Sequence, residues 1–213
     1  MSALRIAIPI FDRLTALDAV GPYEVLSRLP GATVSFVAAE PGPKRTENGM
    51  LALTADESFA GLTDPEVLVV PGGIGTRALM RDEPTLAWLR GVHRSSQWTT
   101  SVCTGSLLLA AAGILHGLEA TTHWLSLDLL AEHGALPVSR RVVEQGKVIT
   151  AAGVSAGIDM ALTLAARIAG DEIAQAIQLG IEYDPEPPFR SGSLAVARPE
   201  IVAMVRAASH RFA

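Results

Sequence analysis

The sequence predicts an α/β fold with a nucleophile elbow, in which a mostly parallel sheet is covered by helices on both faces. Strand patterns alternate with helical patterns along the 213 residues, which is typical of such sheets. The strand predicted at residues 66–70 is continuously apolar after Glu66, as expected for a strand that is buried on both faces. In addition, the strand pattern of residues 98–102 passes almost directly into the Leu- and Ala-rich helical pattern of residues 106–112, with the lone cysteine between them.

Apolar periodicity and turn residues place the other elements of the first half of the chain. The first helical segment ends at Pro30 and Gly31, and Pro84 lies close to the first turn of a later helix. A turn-rich segment with a weakly alternating tail predicts a hairpin excursion. The predicted strands are 4–10, 33–39, 66–70 and 98–102, the hairpin lies within 41–55, and the helices are 17–29, 84–94 and 106–112.

The second half is predicted to contain a short strand, a hairpin and four helices. Gly134 ends the first of these helices, and Gly170 separates the next two. The predicted strands are 120–122, 141–144 and 147–150, and the helices are 124–133, 155–169, 171–180 and 199–211. We predict a single domain over residues 1–213, with 181–213 as a C-terminal arm and helix, because too little chain follows the proline-rich segment 185–188 to fold alone.

Composition and charge exclude several classes of function. The net charge is −5 and no basic cluster occurs, so no nucleic-acid partner is expected. The apolar segment 150–170 contains Asp159 and Arg167, which indicates a core helix and no membrane contact. One cysteine cannot form an internal disulfide and no secretory signal is recognised, so we expect a cytoplasmic location. The five histidines are scattered without metal-ligand spacing, so no metal site is expected.

Cys103 is the candidate nucleophile. The residues two before and two after it are Ser101 and Gly105, and small residues at these positions let the strand and helix of an elbow approach closely. The thiol would lie at a helix N-terminus, where N–H groups and the helix dipole favour a thiolate, so we expect its pKa to be lowered. The alternative is that Cys103 is a buried apolar filler. The elbow context favours the nucleophile.

Asp18 has two interpretations. It lies at the start of the first predicted helix, where an aspartate complements the helix dipole. It could also place a carboxyl within hydrogen-bond reach of the Cys103 sulfur, in which case one of the two groups keeps a proton. A protonated Asp18 beside a thiolate would donate a proton and then act as a base for water. The residues alone leave both interpretations open.

Binding groups for the substrate, and for negative charge on it, are predicted at Gly72, Gly73, Thr104 and Gly153. Gly72 and Gly73 end a strand that is expected beside the cysteine, where their N–H groups would face the reacting atoms; alternatively they form a tight turn. Thr104 offers an N–H and a hydroxyl near the sulfur, or is an ordinary first-turn residue. Gly153 begins a segment that could close over the site, or belongs to a helix cap. His123 is better explained as a helix-start residue than as a catalytic base.

Longer stretches of the chain resemble the PfpI-like, class I glutamine amidotransferase-like superfamily and, within it, the isocyanide (isonitrile) hydratases. The cysteine elbow followed by ATTHW is fairly specific to this branch, and Tyr183, Asp184 and Pro185 strengthen the resemblance. The stretches span nearly the whole chain, and they are LTALDAVGPYEVL (14–26), LVVPGGIGTR (68–77), SVCTGSLLLAAAGILHGLEATTHW (101–124), TAAGVSAGIDMAL (150–162) and QLGIEYDPEPPF (178–189).

The resemblance implies a flavodoxin-like three-layer sandwich that forms a homodimer and acts on a small molecule. It also implies Cys103 as the nucleophile, Asp18 as its acid/base partner, Thr104 as a supporting residue and a backbone amide from Gly73. No metal and no organic cofactor are implied. Thr104 departs from the protease-like members, which place a histidine directly after the cysteine, and the sequence therefore argues against peptide hydrolysis.

The activity implied by this branch is that of a hydro-lyase, which converts an isocyanide to an N-substituted formamide. Attack by the Cys103 thiolate would give a thioimidate, with Asp18 donating a proton and then assisting water. One alternative is a glyoxalase- or deglycase-like enzyme for reactive aldehydes, although such members usually carry a glutamate where Asp18 stands. Another is a non-catalytic small-molecule or redox-sensing module related to transcription regulators.

Overall fold

The computed structural model describes residues 4–62 and 64–209, and the chain divides into two compact units that comprise residues 1–181 and 182–213. The strands of the first unit are β1 (Leu4–Pro9), β2 (Ala32–Ala38), β3 (Gly42–Arg45), β4 (Ala52–Ala55), β5 (Glu57–Ser58), β6 (Val67–Val70), β7 (Trp98–Val102), β8 (Glu119–Ala120), β9 (Leu136–Pro137), β10 (Val142–Gln145) and β11 (Val148–Ala151). Its α-helices are α1 (Ala16–Leu26), α2 (Thr76–Leu79), α3 (Glu83–Ser95), α4 (Gly105–Ala111), α5 (Leu127–Glu132), α6 (Ala156–Ala169) and α7 (Asp171–Gly180). The second unit contains α8 (Pro199–Ser209). The single domain and the homodimer stay predictions.

A central sheet organises the first unit. Its strands lie in the order β10–β11–β7–β6–β1–β2–β5, and every neighbouring pair is parallel except β10–β11. The predicted hairpin of residues 141–150 therefore joins the sheet as an antiparallel edge. The excursion predicted within residues 41–55 is the separate antiparallel hairpin β3–β4. This arrangement confirms the predicted α/β class with its mostly parallel sheet.

Two apolar cores fill the space on either side of the sheet. Alternate residues of β1 divide between them, since Ile6 and Ile8 enter the core that includes residues of α1 and α6, whereas Ala7 enters the core that includes residues of α3 and α4. Val69 and Val70 of β6 divide in the same way. Because both faces are covered, such strands need an apolar residue at nearly every position. The three-layer sandwich explains why residues 67–70 of the predicted strand are all apolar.

The predicted elements differ from the structure mainly where an element is very short. β5, α2 and β9 have two to four residues each, which is too few for periodicity to indicate them. The helix predicted at 124–133 is a 3-10 turn over Trp124–Ser126 followed by α5. The last two residues of the helix predicted at 199–211 lie outside the described residues. Within the described ranges, the helices are all too short or too polar to span a lipid bilayer.

Candidate active site

The candidate residues meet at the carboxyl ends of four neighbouring strands. The segments after β1, β6, β7 and β11 carry Asp18, the glycine pair, Cys103 and Gly153, respectively. Because parallel strands end at the same edge of a sheet, these segments converge on one site. The position matches the rule that open α/β sheets bind ligands beyond the carboxyl ends of their strands.

Cys103 occupies the sharp turn between β7 and α4. Its φ of +54° lies in the left-handed region, which a non-glycine residue enters only when the surroundings hold it there. The Cys103 N–H donates to the carbonyl oxygens of Ala151 (3.1 Å) and Ala152 (3.0 Å). The Cys103 carbonyl accepts from the hydroxyls of Ser106 (3.1 Å) and Thr122 (3.0 Å). Three separate segments therefore hold the elbow. Cys103 is buried there, with only 5% of the residue exposed.

Gly105 allows the close approach that the elbow requires. A Cβ atom at this position would lie 2.0 Å from the Val70 carbonyl oxygen and 2.9 Å from the Pro71 carbonyl oxygen, both of which are backbone atoms. The prediction that a small residue is needed here is therefore confirmed. Since backbone cannot rotate away as a side chain does, the collision would have to separate α4 from β6.

A Gly105→Ala substitution is expected to destabilise the protein by about 3 kcal/mol or more, because the added methyl group overpacks a rigid backbone contact. The free energy of unfolding from urea titration measures this effect. The matched control is Gly180→Ala at the end of α7, where a Cβ atom meets nothing within 4 Å. The control should keep or slightly raise the stability. Equal stabilities for the two variants would contradict the close approach at the elbow.

Asp18 lies on the first turn of α1 and is fully buried. Its Oδ2 atom accepts a hydrogen bond from the Gly72 N–H at 3.0 Å. The carboxyl also interacts with the Cys103 thiol, and its Oδ1 atom is buried with no hydrogen-bond partner among the described residues. Burial, with a smaller contribution from the charge of Glu47, raises the pKa of Asp18 to about 7, against the hydrogen bonds from Gly72 and Cys103, which lower it. Asp18 therefore combines the helix-start position with contact to the thiol.

The pKa of the Cys103 thiol is raised, and the expectation of a lowered value is wrong. The backbone N–H groups of Thr104 and Val154 do donate towards the sulfur and favour the thiolate. Burial opposes ionisation more strongly, and the neighbouring Asp18 carboxylate opposes it as well. The pair thus rests with its proton on the sulfur, beside a carboxyl that titrates near neutral pH.

The glycine pair after β6 holds the site together through its N–H groups. Gly72 donates to Asp18, and Gly73 donates to the Thr104 hydroxyl at 2.9 Å. The Thr104 hydroxyl lies 3.2 Å from the Gly73 carbonyl oxygen, to which it donates. Both N–H groups therefore have protein partners in this structure, and their predicted contact with a reacting group stays a prediction. They fix the acid and the residue that follows the nucleophile.

Gly153 packs against His123. A Cβ atom on Gly153 would lie 2.7 Å from Cδ2 of the His123 ring, so the absence of a side chain makes room for that ring. The imidazole covers this side of the glycine, and the predicted contact between Gly153 and a substrate stays a prediction. His123 itself caps the 3-10 turn, where its Nδ1 accepts from the Leu125 N–H at 3.4 Å. This agrees with the helix-start interpretation.

Residues 4–167 of the chain match the DJ-1/PfpI family. The chain belongs to the DJ-1/PfpI family. An isonitrile hydratase of Pseudomonas putida is 45% identical to it over 200 residues, which cover 94% of this chain and 87% of that protein. The resemblance that the motifs indicated is thereby confirmed.

Two further relatives place the chain within this family. A THiJ/PfpI family protein from Pseudomonas syringae superposes with a TM-score of 0.94 at 38% identity, covering all of this chain and 88% of that one. The HTH-type transcriptional regulator CdhR of Pseudomonas aeruginosa is 33% identical over 78% of this chain but only 50% of its own length. The DJ-1/PfpI fold thus occurs both in an enzyme and in part of a longer regulator.

Two residues of this DJ-1/PfpI site escaped the sequence analysis. Val154 donates its N–H to the sulfur and has a φ of +35°, but nothing in a valine predicts such a backbone conformation. Arg77 is half-buried, and its terminal nitrogens donate to the hydroxyls of Thr76 and Ser126, each at 3.0 Å. It lies close enough to Cys103 and His123 for its charge to act on both. The available signal was the position of Arg77, four residues after the glycine pair that follows β6.

The raised pKa of Asp18 makes the stability of the protein depend on pH. The folded state holds the Asp18 proton up to about pH 7, whereas the unfolded chain releases it near 3.8. The folded state therefore binds more protons between these values, and its free energy of unfolding should fall as the pH rises from about 4 to 7. We expect Asp18→Asn to be more stable than wild type above pH 7, by at most about 4 kcal/mol, and no more stable near pH 4. Urea titrations at pH 4 and pH 8 measure the difference, and a pH-independent difference would contradict it.

Proposed function

We propose that this DJ-1/PfpI chain is a cysteine-dependent isonitrile hydratase, a hydro-lyase that adds water to an isonitrile. The observation that carries the proposal is the buried Asp18 carboxyl, with a pKa of about 7, in contact with the thiol of Cys103. A proton carrier of this pKa beside a nucleophile suits a reaction in which one carbon must receive both a sulfur atom and a proton. The 45% identity to a named isonitrile hydratase supports the same assignment.

In the first step, the Cys103 sulfur bonds to the terminal carbon of R–N≡C. The S–H proton passes to the Asp18 carboxylate as the sulfur attacks, and Asp18 delivers that proton to the same carbon. The product is the thioimidate R–N=CH–S–Cys103, which contains every atom of the isonitrile and of the thiol. Because the pair contributes one proton in total, a thiol with a raised pKa is no obstacle, provided that the carboxylate accepts its proton during the attack.

In the second step, water adds to the thioimidate carbon and the C–S bond breaks. Asp18, which is a carboxylate again, takes a proton from the attacking water and delivers it to the imine nitrogen. Collapse of the adduct releases R–NH–CHO and returns a proton to the sulfur. The N–H groups of Thr104 and Val154, which donate towards the sulfur, stabilise negative charge on it as it leaves.

Burial of the sulfur favours this substrate class. Cys103 is 5% exposed, so a small and slender reacting group reaches the sulfur more easily than a bulky one. The isonitrile group is linear and only two atoms long, and it presents its reactive carbon at the tip. A peptide carbonyl carbon is flanked by substituents on both sides and is therefore less suited to attack by a buried sulfur.

Product analysis tests the proposal. The purified protein is incubated with a simple alkyl isonitrile in water that contains ¹⁸O, and mass spectrometry should show the N-alkyl formamide with one ¹⁸O atom. A parallel assay with methylglyoxal tests the glyoxalase-like alternative. Lactate formation from methylglyoxal without formamide formation from the isonitrile would reject the hydratase in favour of that alternative.

A further inference from the structure

We propose that Arg77 forms an anion-binding subsite beside Cys103, and that the isonitriles which this chain prefers carry a carboxylate or another negatively charged group. The substrate class rests on the proposed hydratase function, whereas the anion subsite itself does not. The proposal uses a half-buried cation at the active-site edge of the sheet that the two chemical steps above leave without a role.

Hydrogen bonds fix Arg77 relative to the nucleophile. One terminal nitrogen donates to the Thr76 hydroxyl, which in turn donates to the Gly73 carbonyl oxygen at 2.8 Å. The backbone of Gly73 is hydrogen-bonded to the hydroxyl of Thr104, the residue that follows Cys103. The guanidinium is thus connected to the elbow through one short chain of contacts. Its other terminal nitrogen donates to Ser126, the last residue of the 3-10 turn that His123 caps.

Arg77 differs in its contacts from the arginines that form ion pairs. Arg5 pairs with Asp64 and Arg167 pairs with Glu144, each at 3.0 Å on the surface. In contrast, no carboxylate of residues 4–62 or 64–209 lies within ion-pair distance of Arg77, whose partners are two neutral hydroxyls. A guanidinium keeps its charge even when it is partly buried, and two of its five N–H donors suffice for these hydroxyls.

The electrostatic interactions of Arg77 are with Cys103 and His123, and Arg77 forms no ion pair with Asp18. The guanidinium interacts favourably with negative charge at Cys103. Burial lowers the pKa of His123, and the charge of Arg77 lowers it further, so both disfavour a second cation beside the guanidinium. Asp18 is bonded to Gly72 and makes no ion pair with Arg77. A planar guanidinium with unused donors binds carboxylates in a bidentate manner, which is the geometry that a carboxylate on the substrate would offer.

Alkylation of the lone cysteine tests the subsite without reference to turnover. Iodoacetate and iodoacetamide react with the same thiolate, which displaces iodide and forms a thioether, but only iodoacetate is an anion. At one pH the thiolate fraction cancels in the ratio of the two rates. We expect the iodoacetate/iodoacetamide ratio of the wild type to exceed that of glutathione, and Arg77→Gln to lower it about tenfold, which corresponds to ~1.4 kcal/mol.

Two further variants make the measurement specific. Arg81→Gln removes the same charge from an exposed position four residues along the chain and should leave the ratio unchanged. Arg77→Lys keeps the charge but not the planar fork, and should retain part of the preference. If Arg77→Gln slows both reagents equally, then Arg77 acts on the sulfur and the subsite is rejected. A wild-type ratio no higher than that of glutathione rejects it too, even if the glutamine variant does not fold.

Turnover assays then test the substrate class. Isocyanoacetate should be a better substrate than its neutral methyl ester, and Arg77→Gln should raise KM for the acid while leaving KM for the ester unchanged. Formamide production without any preference for the acid would overturn the subsite but keep the hydratase. An alkylation ratio that depends on Arg77, without turnover of either isonitrile, would overturn the hydratase and the substrate class but keep the anion subsite.

Discussion

Replacing Cys103 by alanine is expected to abolish hydration of isonitriles, with kcat/KM falling on the order of 10³-fold or more, because no other thiol in the chain can form the covalent intermediate. Cys103→Ser should also be inactive, since a buried hydroxyl beside a carboxylate with a pKa of about 7 is a much weaker acid than a thiol. Formamide release measured by mass spectrometry gives the rate. Intact-protein mass spectrometry of the wild type during turnover should show one adduct with the mass of the isonitrile.

The alanine variant must be shown to fold before its inactivity is interpreted. Cys103 is packed in the core that includes residues of α1 and α6, and alanine leaves a small cavity there, so a modest loss of stability is expected. Thermal unfolding followed by circular dichroism measures that loss. Substantial turnover by a folded Cys103→Ala variant would show that the reaction is not covalent and would remove the basis of the proposed mechanism.

Asp18→Asn is expected to lower kcat/KM by about 10² to 10⁴-fold, because the amide keeps the shape of the side chain but cannot carry the proton. The amide oxygen can still accept from the Gly72 N–H, so the position of the side chain should be preserved. The matched control is Glu24→Gln, which removes one charge from an exposed position on the same helix and should retain full activity. A fully active Asp18→Asn variant would exclude Asp18 as the proton carrier.

The pH profile provides a second measure of the role of Asp18. The proposed attack requires the carboxylate form, because that form accepts the proton from the thiol. With a pKa of about 7, kcat/KM of the wild type should rise with pH through this value and then level off. The residual activity of Asp18→Asn should lack this rise. A wild-type rate that falls as the pH increases through 7 would instead indicate that Asp18 must be protonated before attack.

Local sequence patterns were sufficient to predict the elbow. The strand predicted at residues 98–102 is β7 with the same limits, because its β-branched residues end at a cysteine followed by Thr104 and Gly105. The requirement for a small residue at 105 also follows from the local geometry of a strand that turns directly into a helix. The position of Asp18 on the first turn of α1 was predictable for the same reason, since helix-start preferences act over a few residues.

The ionisation of the thiol depends on sums that extend over the whole site, and the sequence prediction was therefore wrong. A helix N-terminus beside Cys103 is a local feature, and the two N–H groups that favour the thiolate are indeed present. Their effect is outweighed by burial and by Asp18, and the extent of burial depends on four strands and two helices packing together. The N–H groups of Gly72 and Gly73 were expected to face a substrate. Only the folded chain reveals that they donate hydrogen bonds to Asp18 and Thr104.

The imidazole of His123 occupies the space in which residue 153 would otherwise carry a side chain. As a consequence, the two positions are coupled in packing, although 30 residues separate them in the chain. An alanine or serine at 153 requires the His123 ring to move or a smaller residue to replace it, because the added Cβ atom would overlap the ring. A paired exchange that makes residue 123 smaller and residue 153 larger would therefore repack the surroundings of Arg77 while Cys103 and Asp18 stay unchanged.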